Sequence, residues 1–322
     1  MRFALYASAD DRYVPTAVMA LRSFQRWHPE FGYFILGTRE AMHPESLALM
    51  QRYGIELIDV NDAHRFPVRG RFAYKDRERF YCLKGPELLA ARGFSHSAQV
   101  DGDVFCPKPM DLAELGRLLD RTDGLAARPV GSLDRTLRHR YGDRNKEFDF
   151  SHRSVRRALG LGRLALWRHY EYGSGVLYFN NVAMVQRGFY EACIDVFTRC
   201  HGCFSGDQDL LAFTVATMRV PVQRIGHPFH FTFFEDSPWD DGVLRGQIDR
   251  EDYHGVHVVH FVFAKPWLPI ERPTPPKMHL VNLWRAFVRA ELGSEATRYF
   301  AAIDPVDDPT PGKAVYQQRV TA

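Results

Sequence analysis

Residues 3–27 read FALYASADDRYVPTAVMALRSFQRW: an apolar hexamer, two adjacent aspartates, then a run with a different period. Phe3 to Ser8 has the length and content of a buried strand, whereas Val14, Val18, Leu21 and Phe24 fall at helical spacing between Val14 and Trp27. The unit then recurs. Tyr33 to Leu36 reads as a strand, Pro44 to Tyr53 as a helix opened by proline, and Ile55 to Val60 as a strand. Such alternation predicts an α/β fold with a mostly parallel sheet, helices on both faces and right-handed connections.

Further along, Arg77 to Arg92 reads as a helix interrupted at Gly85-Pro86, and Ser97 to Val100 as a short strand running into Asp101-Gly102-Asp103. Asp111 to Asp120 resembles a capped helix, Ser174 to Phe179 a strand preceded by Gly173, Asp207 to Met218 a helix, and Val256 to Phe263 a buried strand. The proline-rich passage from Pro269 to Pro276 leaves the sheet, and a helix follows from Lys277 to Leu292. Its apolar and basic residues suit a docked helix or a membrane surface, and docking is the simpler reading. The expected organisation is an enzyme domain over 1–270, a helical extension over 271–303 and a loose tail over 304–322.

The 322 residues carry 45% hydrophobic and 25% charged side chains, the composition of an ordinary globular protein. A net charge of +3 is too mild to imply nucleic-acid binding. Charge is nonetheless uneven: Arg135 to Arg168 holds ten Arg or Lys against three acids, a local excess of +7. That stretch reads as a solvated, mobile insertion, or as a surface for an anionic acceptor or lipid. No apolar run is long enough for a spanning helix, and the start reads as a strand rather than a secretion signal. Five cysteines without a dense framework fit free thiols. The expected location is cytoplasmic, with peripheral contact at the inner face of the membrane left open.

Asp101 and Asp103 flank one glycine at a strand's end, so in extended geometry both carboxylates face one side. Like charges so close oppose ionisation unless a cation lies between them. Oxygen ligands suit Mn²⁺ or Mg²⁺, with substrate phosphates completing the shell. Taken alone, the pair reads equally as a turn whose aspartates cap backbone groups.

Five segments in order resemble glycosyltransferase family 8, whose members are retaining enzymes of the GT-A fold. They are Ala7-Ser8-Ala9-Asp10-Asp11-Arg12-Tyr13-Val14-Pro15, Val100-Asp101-Gly102-Asp103-Val104, Tyr172-Gly173-Ser174-Gly175-Val176-Leu177-Tyr178-Phe179-Asn180, Gly206-Asp207-Gln208-Asp209-Leu210-Leu211 and His260-Phe261-Val262-Phe263-Ala264-Lys265-Pro266-Trp267. The chain is similar to a divergent, bacterial-type member of that family. The resemblance implies a mixed, mostly parallel sheet flanked by helices, a UDP-sugar donor of hexose type, and Mn²⁺ or Mg²⁺ as cofactor. It places Asp101, Asp103 and His260 on the metal, and Ser8, Asp10, Tyr13, Arg79, Gly102, Gly173, Ser174 and Lys265 on the donor. Gln208 and Asp207 then stand nearest the reacting carbon.

The physics of those residues agrees with the implied roles. A base needs an aromatic face and a directed acceptor at a strand's carboxyl end, although Asp10 also reads as a helix cap. An amide is a poor nucleophile, so Gln208 favours same-face transfer over a covalent intermediate. Three departures stand out: Gly173 replaces a common asparagine, Arg12 replaces another, and the His260–Lys265 spacing is one residue short.

Gly160-Leu161-Gly162 lacks the preceding strand that a dinucleotide fingerprint needs, and Cys200-His201-Gly202-Cys203 lacks a second pair for zinc. Two rivals stay open: an inverting transferase with Asp207 or Asp209 as base, and a non-catalytic nucleotide-sugar-binding protein. The acceptor, whether glycan, lipid-linked or protein, is not written in these motifs.

Overall fold

The computed structural model describes residues 2–62, 65–66, 77–133, 152–162, 168–200, 204, 206–226, 228–232, 256–261, 265–267 and 275–301. Its centre is a seven-stranded sheet in the order β3-β2-β1-β4-β7-β6-β8. The strands are β1 (Phe3–Ser8), β2 (Gly32–Gly37), β3 (Glu56–Asp59), β4 (His96–Val100), β6 (Leu125–Ser132), β7 (Tyr170–Asn180) and β8 (Val222–Arg224). β1 to β4 are mutually parallel, while β7 runs antiparallel to both β4 and β6. A second sheet joins β5 (Val104–Phe105), β10 (Val259–His260) and β9 (Phe231–Thr232).

The opening hexamer shows why the sheet is sandwiched. Phe3, Leu5 and Ala7 enter one hydrophobic core while Ala4 and Tyr6 enter another, so β1 is apolar on both faces as an interior parallel strand must be. One core receives α1 (Val14–Gln25), α2 (Pro44–Arg52) and α4 (Leu112–Asp120). The other receives the 3₁₀ segment Arg77–Lys84, α3 (Gly85–Ala90), α5 (His152–Ala158), α6 (Asn181–Gln186), α7 (Phe189–Arg199) and α8 (Asp207–Met218). The expected break at Gly85-Pro86 is where 3₁₀ geometry becomes α-helix.

Asp111 caps α4, accepting from Ala113 N and Glu114 N at 2.9 Å each. The C-terminal helices α9 (Pro275–Leu292) and α10 (Glu295–Ala301) belong to the first core: Leu280, Val281, Trp284, Phe287, Val288 and Leu292 are all buried in it. Burial of this kind contributes about 1.5–3 kcal/mol per large side chain. Arg22 Nε reaches Glu291 at 3.0 Å and Tyr53 donates to the Glu291 carbonyl at 3.0 Å, fixing α9 against α1 and α2.

The sequence reading differs from the structure in definite places. The apolar run Val256–Phe263 pairs as a strand only over Val259–His260, and residues 262–264 lie outside the described residues. Most of the basic stretch, 134–151 and 163–167, also lies outside them. Its remainder is anchored, because Val155, Leu159 and Leu161 are buried in the core and the Arg199 guanidinium donates to Ala158 O at 2.9 Å. Gly160, with φ of +65°, closes α5, so the Gly-x-Gly stretch follows a helix and not a strand. The described cysteines, Cys82, Cys106, Cys193 and Cys200, are all buried. No helix among the described residues is long and apolar enough to cross a membrane.

Candidate active site

β1 has β2 on one side and β4 on the other, so the chain reverses direction of winding between β1 and β4. In open α/β sheets the crevice outside the strands' carboxyl ends at such a point is where ligands bind. Here those ends deliver Ser8 and Asp10 from β1, and Asp101 and Asp103 from β4.

On the β1 side the geometry is local. Asp10 Oδ1 accepts from Tyr13 N at 3.1 Å, opening the 3₁₀ turn Asp11–Tyr13 that leads into α1. Asp10 Oδ2 lies 3.7 Å from the Arg12 guanidinium, which in turn stands 5.6 Å from the Tyr13 ring centroid. The capping role read from the sequence is therefore real and occupies one carboxylate oxygen. Ser8, Asp10 and Tyr13 are all partly exposed at the crevice.

On the β4 side the site is assembled from distant segments. Asp101 N donates to Gly175 O at 3.0 Å, and Val104 N closes a turn onto Asp101 O at 3.1 Å. β5 then pairs antiparallel with β10, setting Val104 opposite His260. His260 Nε2 consequently lies 3.2 Å from Asp103 Oδ1 and 3.7 Å from Asp101 Oδ2, and the three potential ligand atoms lie within 4.8 Å of one another. Lys265 places its ammonium on the other Asp103 oxygen.

Burial raises the Asp101 carboxyl above the ordinary carboxylate value, with the charges of Asp103 and Asp207 adding to it and His260 opposing. Burial also presses Asp103 upward, but Lys265 and His260 outweigh it and hold Asp103 well below the usual range. Two carboxylates, whose charges call for a cation, together with an imidazole fit a hard or borderline divalent ion. Lys265 stands in for part of that charge.

Two glycines make the assembly possible. A Cβ at Gly175 would lie 1.9 Å from His260 Cε1, a direct clash, and one at Gly173 would lie 3.0 Å from His230 Cε1. Gly102 serves packing as well: its Cβ would meet Thr16 Oγ1 at 2.5 Å, against α1. Ser174 is buried in the same strand. At the opening of α8, Gln208 donates its amide to Glu171, a carboxylate 6% exposed on β7, and Cys82 Sγ lies 3.9 Å from Asp207 Oδ2.

Neither Glu171 nor His230 stands out as a site residue in the sequence. Arg79 belongs to the 3₁₀ segment Arg77–Lys84, but its side chain lies outside the described residues. Arg77 and Lys84 are the alternatives to it in that segment, and Lys84 pairs with Asp62 at 2.5 Å and faces the Tyr190 ring at 5.0 Å.

No protein-family model matches the sequence, and no curated protein matches it. Solved structures do. The galactosyltransferase LgtC, in complex with donor and acceptor sugar analogues, gives a TM-score of 0.59 at 18% identity over 88% of this chain and 95% of that one. The bifunctional glycosyltransferase WbbM gives 0.59 at 14% identity, over 94% of this chain and 51% of its own. The glycosyltransferase GlyE of Streptococcus pneumoniae TIGR4 gives 0.52 at 16% identity, over 92% and 64%. With its mixed, mostly parallel seven-stranded sheet between helical layers, the chain has the GT-A fold of these glycosyltransferases.

Proposed function

We propose that this chain is a metal-dependent glycosyltransferase of family 8 type, moving a hexose-type sugar from a UDP-sugar to an acceptor with retention of anomeric configuration. The observation that carries the reading is the convergence of Asp101, Asp103 and His260 at the carboxyl end of the parallel strands. Mn²⁺ or Mg²⁺ held by those three would supply Lewis-acid stabilisation to the diphosphate leaving group.

The chain's own residues have distinct tasks in this reading. Tyr13 stacks on uracil and the outer oxygen of Asp10 accepts its N–H, with Ser8 contributing main-chain contacts. Lys265, already beside Asp103, balances charge that builds on the diphosphate as the glycosidic bond breaks. Gly173 and Ser174 border the sugar, and Gly102 keeps the turn between the two aspartates close against α1. Gln208 faces the reacting carbon with its amide nitrogen committed to Glu171, which leaves the amide oxygen toward the sugar. Asp207 flanks it. The acceptor hydroxyl attacks on the face the nucleotide leaves, and its proton passes to the departing phosphate oxygen. Arg79 remains a proposed donor contact.

Asp209 is 1% exposed, which weighs against its serving as general base to an acceptor in an inverting reaction. The test is a screen of UDP-sugars for metal-dependent release of UDP, followed by NMR of the first-formed product. Metal-dependent turnover with the donor's own anomeric configuration is expected. An inverted product would remove the retaining mechanism, and UDP binding without turnover on any acceptor class would make the chain a nucleotide-sugar-binding protein.

A further inference from the structure

His230 and His260 sit on neighbouring segments of the small sheet: His230 immediately precedes β9, and β9 runs parallel to β10 with Thr232 opposite His260. His230 is fully buried and His260 is 7% exposed. Their rings are 5.5 Å apart between centroids, and His230 Nε2 lies 3.3 Å from His260 Nδ1. The other nitrogen of His260, Nε2, is the one facing Asp103 and Asp101. Each nitrogen of His260 thus has one direction assigned to it.

Backbone contacts fix this arrangement. Phe231 N donates to Val258 O at 2.9 Å, and Arg128 donates to the His230 carbonyl at 3.3 Å and to the Thr232 hydroxyl. The space for the ring exists because residue 173 is glycine: a Cβ there would press on His230 Cε1 at 3.0 Å. The departure at Gly173 noted in the sequence therefore has a structural counterpart, a second imidazole lodged behind the first.

We propose that His230 is a positioning residue that sets the tautomer and aim of His260; this rests on the reading of Asp101, Asp103 and His260 as a metal site. An imidazole ligates through a lone pair, so neutral His260 must carry its proton on Nδ1 to present Nε2. Nδ1–H then donates to His230 Nε2, which must be the unprotonated nitrogen of a neutral ring. Partners of this kind orient a ligating histidine, and their loss typically lowers metal affinity roughly 10- to 100-fold.

The experiment is Mn²⁺ titration of the full chain without nucleotide, read by electron paramagnetic resonance, with nitrogen coupling to the bound ion as a second signal. His230→Leu fills the space without an acceptor. His230→Gln puts an amide oxygen near the former Nε2, whereas His230→Asn falls short of it. Leu and Asn variants are expected to lose about 10- to 100-fold in Mn²⁺ affinity and to weaken the nitrogen coupling, with Gln close to the parent. A folded Leu variant that binds Mn²⁺ like the parent overturns the proposal, as does a Gln variant no better than Asn. Should His230→Leu fail to fold, the Gln–Asn comparison decides alone. A parent chain that binds no Mn²⁺ at all removes the metal reading, a separate result from parent binding that His230 does not influence.

Discussion

The two sides of the crevice are built by different physics. On the β1 side, Asp10 and Tyr13 belong to one turn, are joined by a side-chain cap and a backbone hydrogen bond at 3.1 Å each, and stay partly exposed. On the β4 side, Asp103, His260 and His230 come from separate segments, are buried, and depend on glycine at 173 and 175 for room. A locally built side can be altered one residue at a time with little effect on the fold. An assembled side couples its chemistry to packing, so its substitutions should change function and stability together.

The largest expected effect is on the assembled side. Asp103→Asn replaces an anionic oxygen by a neutral one between Lys265 and His260, and should cut metal-dependent turnover by roughly a hundredfold or more. Steady-state rates at saturating Mn²⁺ check this, and near-parent turnover would remove Asp103 from the site. Gly175→Ala should lower both Mn²⁺ affinity and thermal stability, because its Cβ would lie 1.9 Å from His260 Cε1. Forcing extra atoms into packed space costs about 1–3 kcal/mol. Loss of metal binding with an unchanged melting temperature would contradict the coupling that distinguishes this side.

How far each side was legible in the sequence follows from the same distinction. The β1 side lies within one short segment, so strand, turn, cap and helix could be read together from Phe3 to Trp27. Asp101 and Asp103 were legible because a single glycine separates them on one strand end. His230 was not: it is one of several histidines near the C-terminal strands, and its meaning comes from β9 and β10, each two residues long. Such short strands carry no alternation to read. Glu171 gains its role only when the first turn of α8 brings Gln208 against β7. In β6 the sequence Ala127-Arg128-Pro129 breaks the pattern, and the pairing with β7 shifts register there. The parallel half was readable for the opposite reason, since strands buried on both faces appear as continuous apolar runs.

A smaller effect is expected from Tyr13→Ala. If the ring is the platform for uracil, its removal should weaken UDP binding by about 1–3 kcal/mol, the usual worth of one base–aromatic stack. Tyr13 is partly exposed and packs against the edge of one core rather than inside it, so the melting temperature of the free chain should move less than for a fully buried ring. Calorimetric titration with UDP checks the first part and thermal unfolding the second. A large stability loss would show that Tyr13 supports α1 and erase the contrast with the assembled side.

The smallest and most discriminating effect is expected from Asp10→Asn. The carboxylate has two acceptor oxygens, one bonded to Tyr13 N at 3.1 Å and the other 3.7 Å from the Arg12 guanidinium. Asparagine keeps one oxygen and exchanges the other for a donor. Because Asn caps helical turns about as well as Asp, the oxygen should stay on Tyr13 N, with stability changed by no more than about 0.5 kcal/mol. If Asp10 is the acceptor for uracil, the amide nitrogen would meet its N–H with a donor where an acceptor is needed, and UDP affinity should fall by about 1 kcal/mol. Asp10→Ala loses both functions and should cost about 0.5–2 kcal/mol in stability as well. If Asn leaves UDP binding intact while Ala lowers only stability, Asp10 is a cap and nothing more, and recognition of the base must rest on Tyr13 and the main chain of β1.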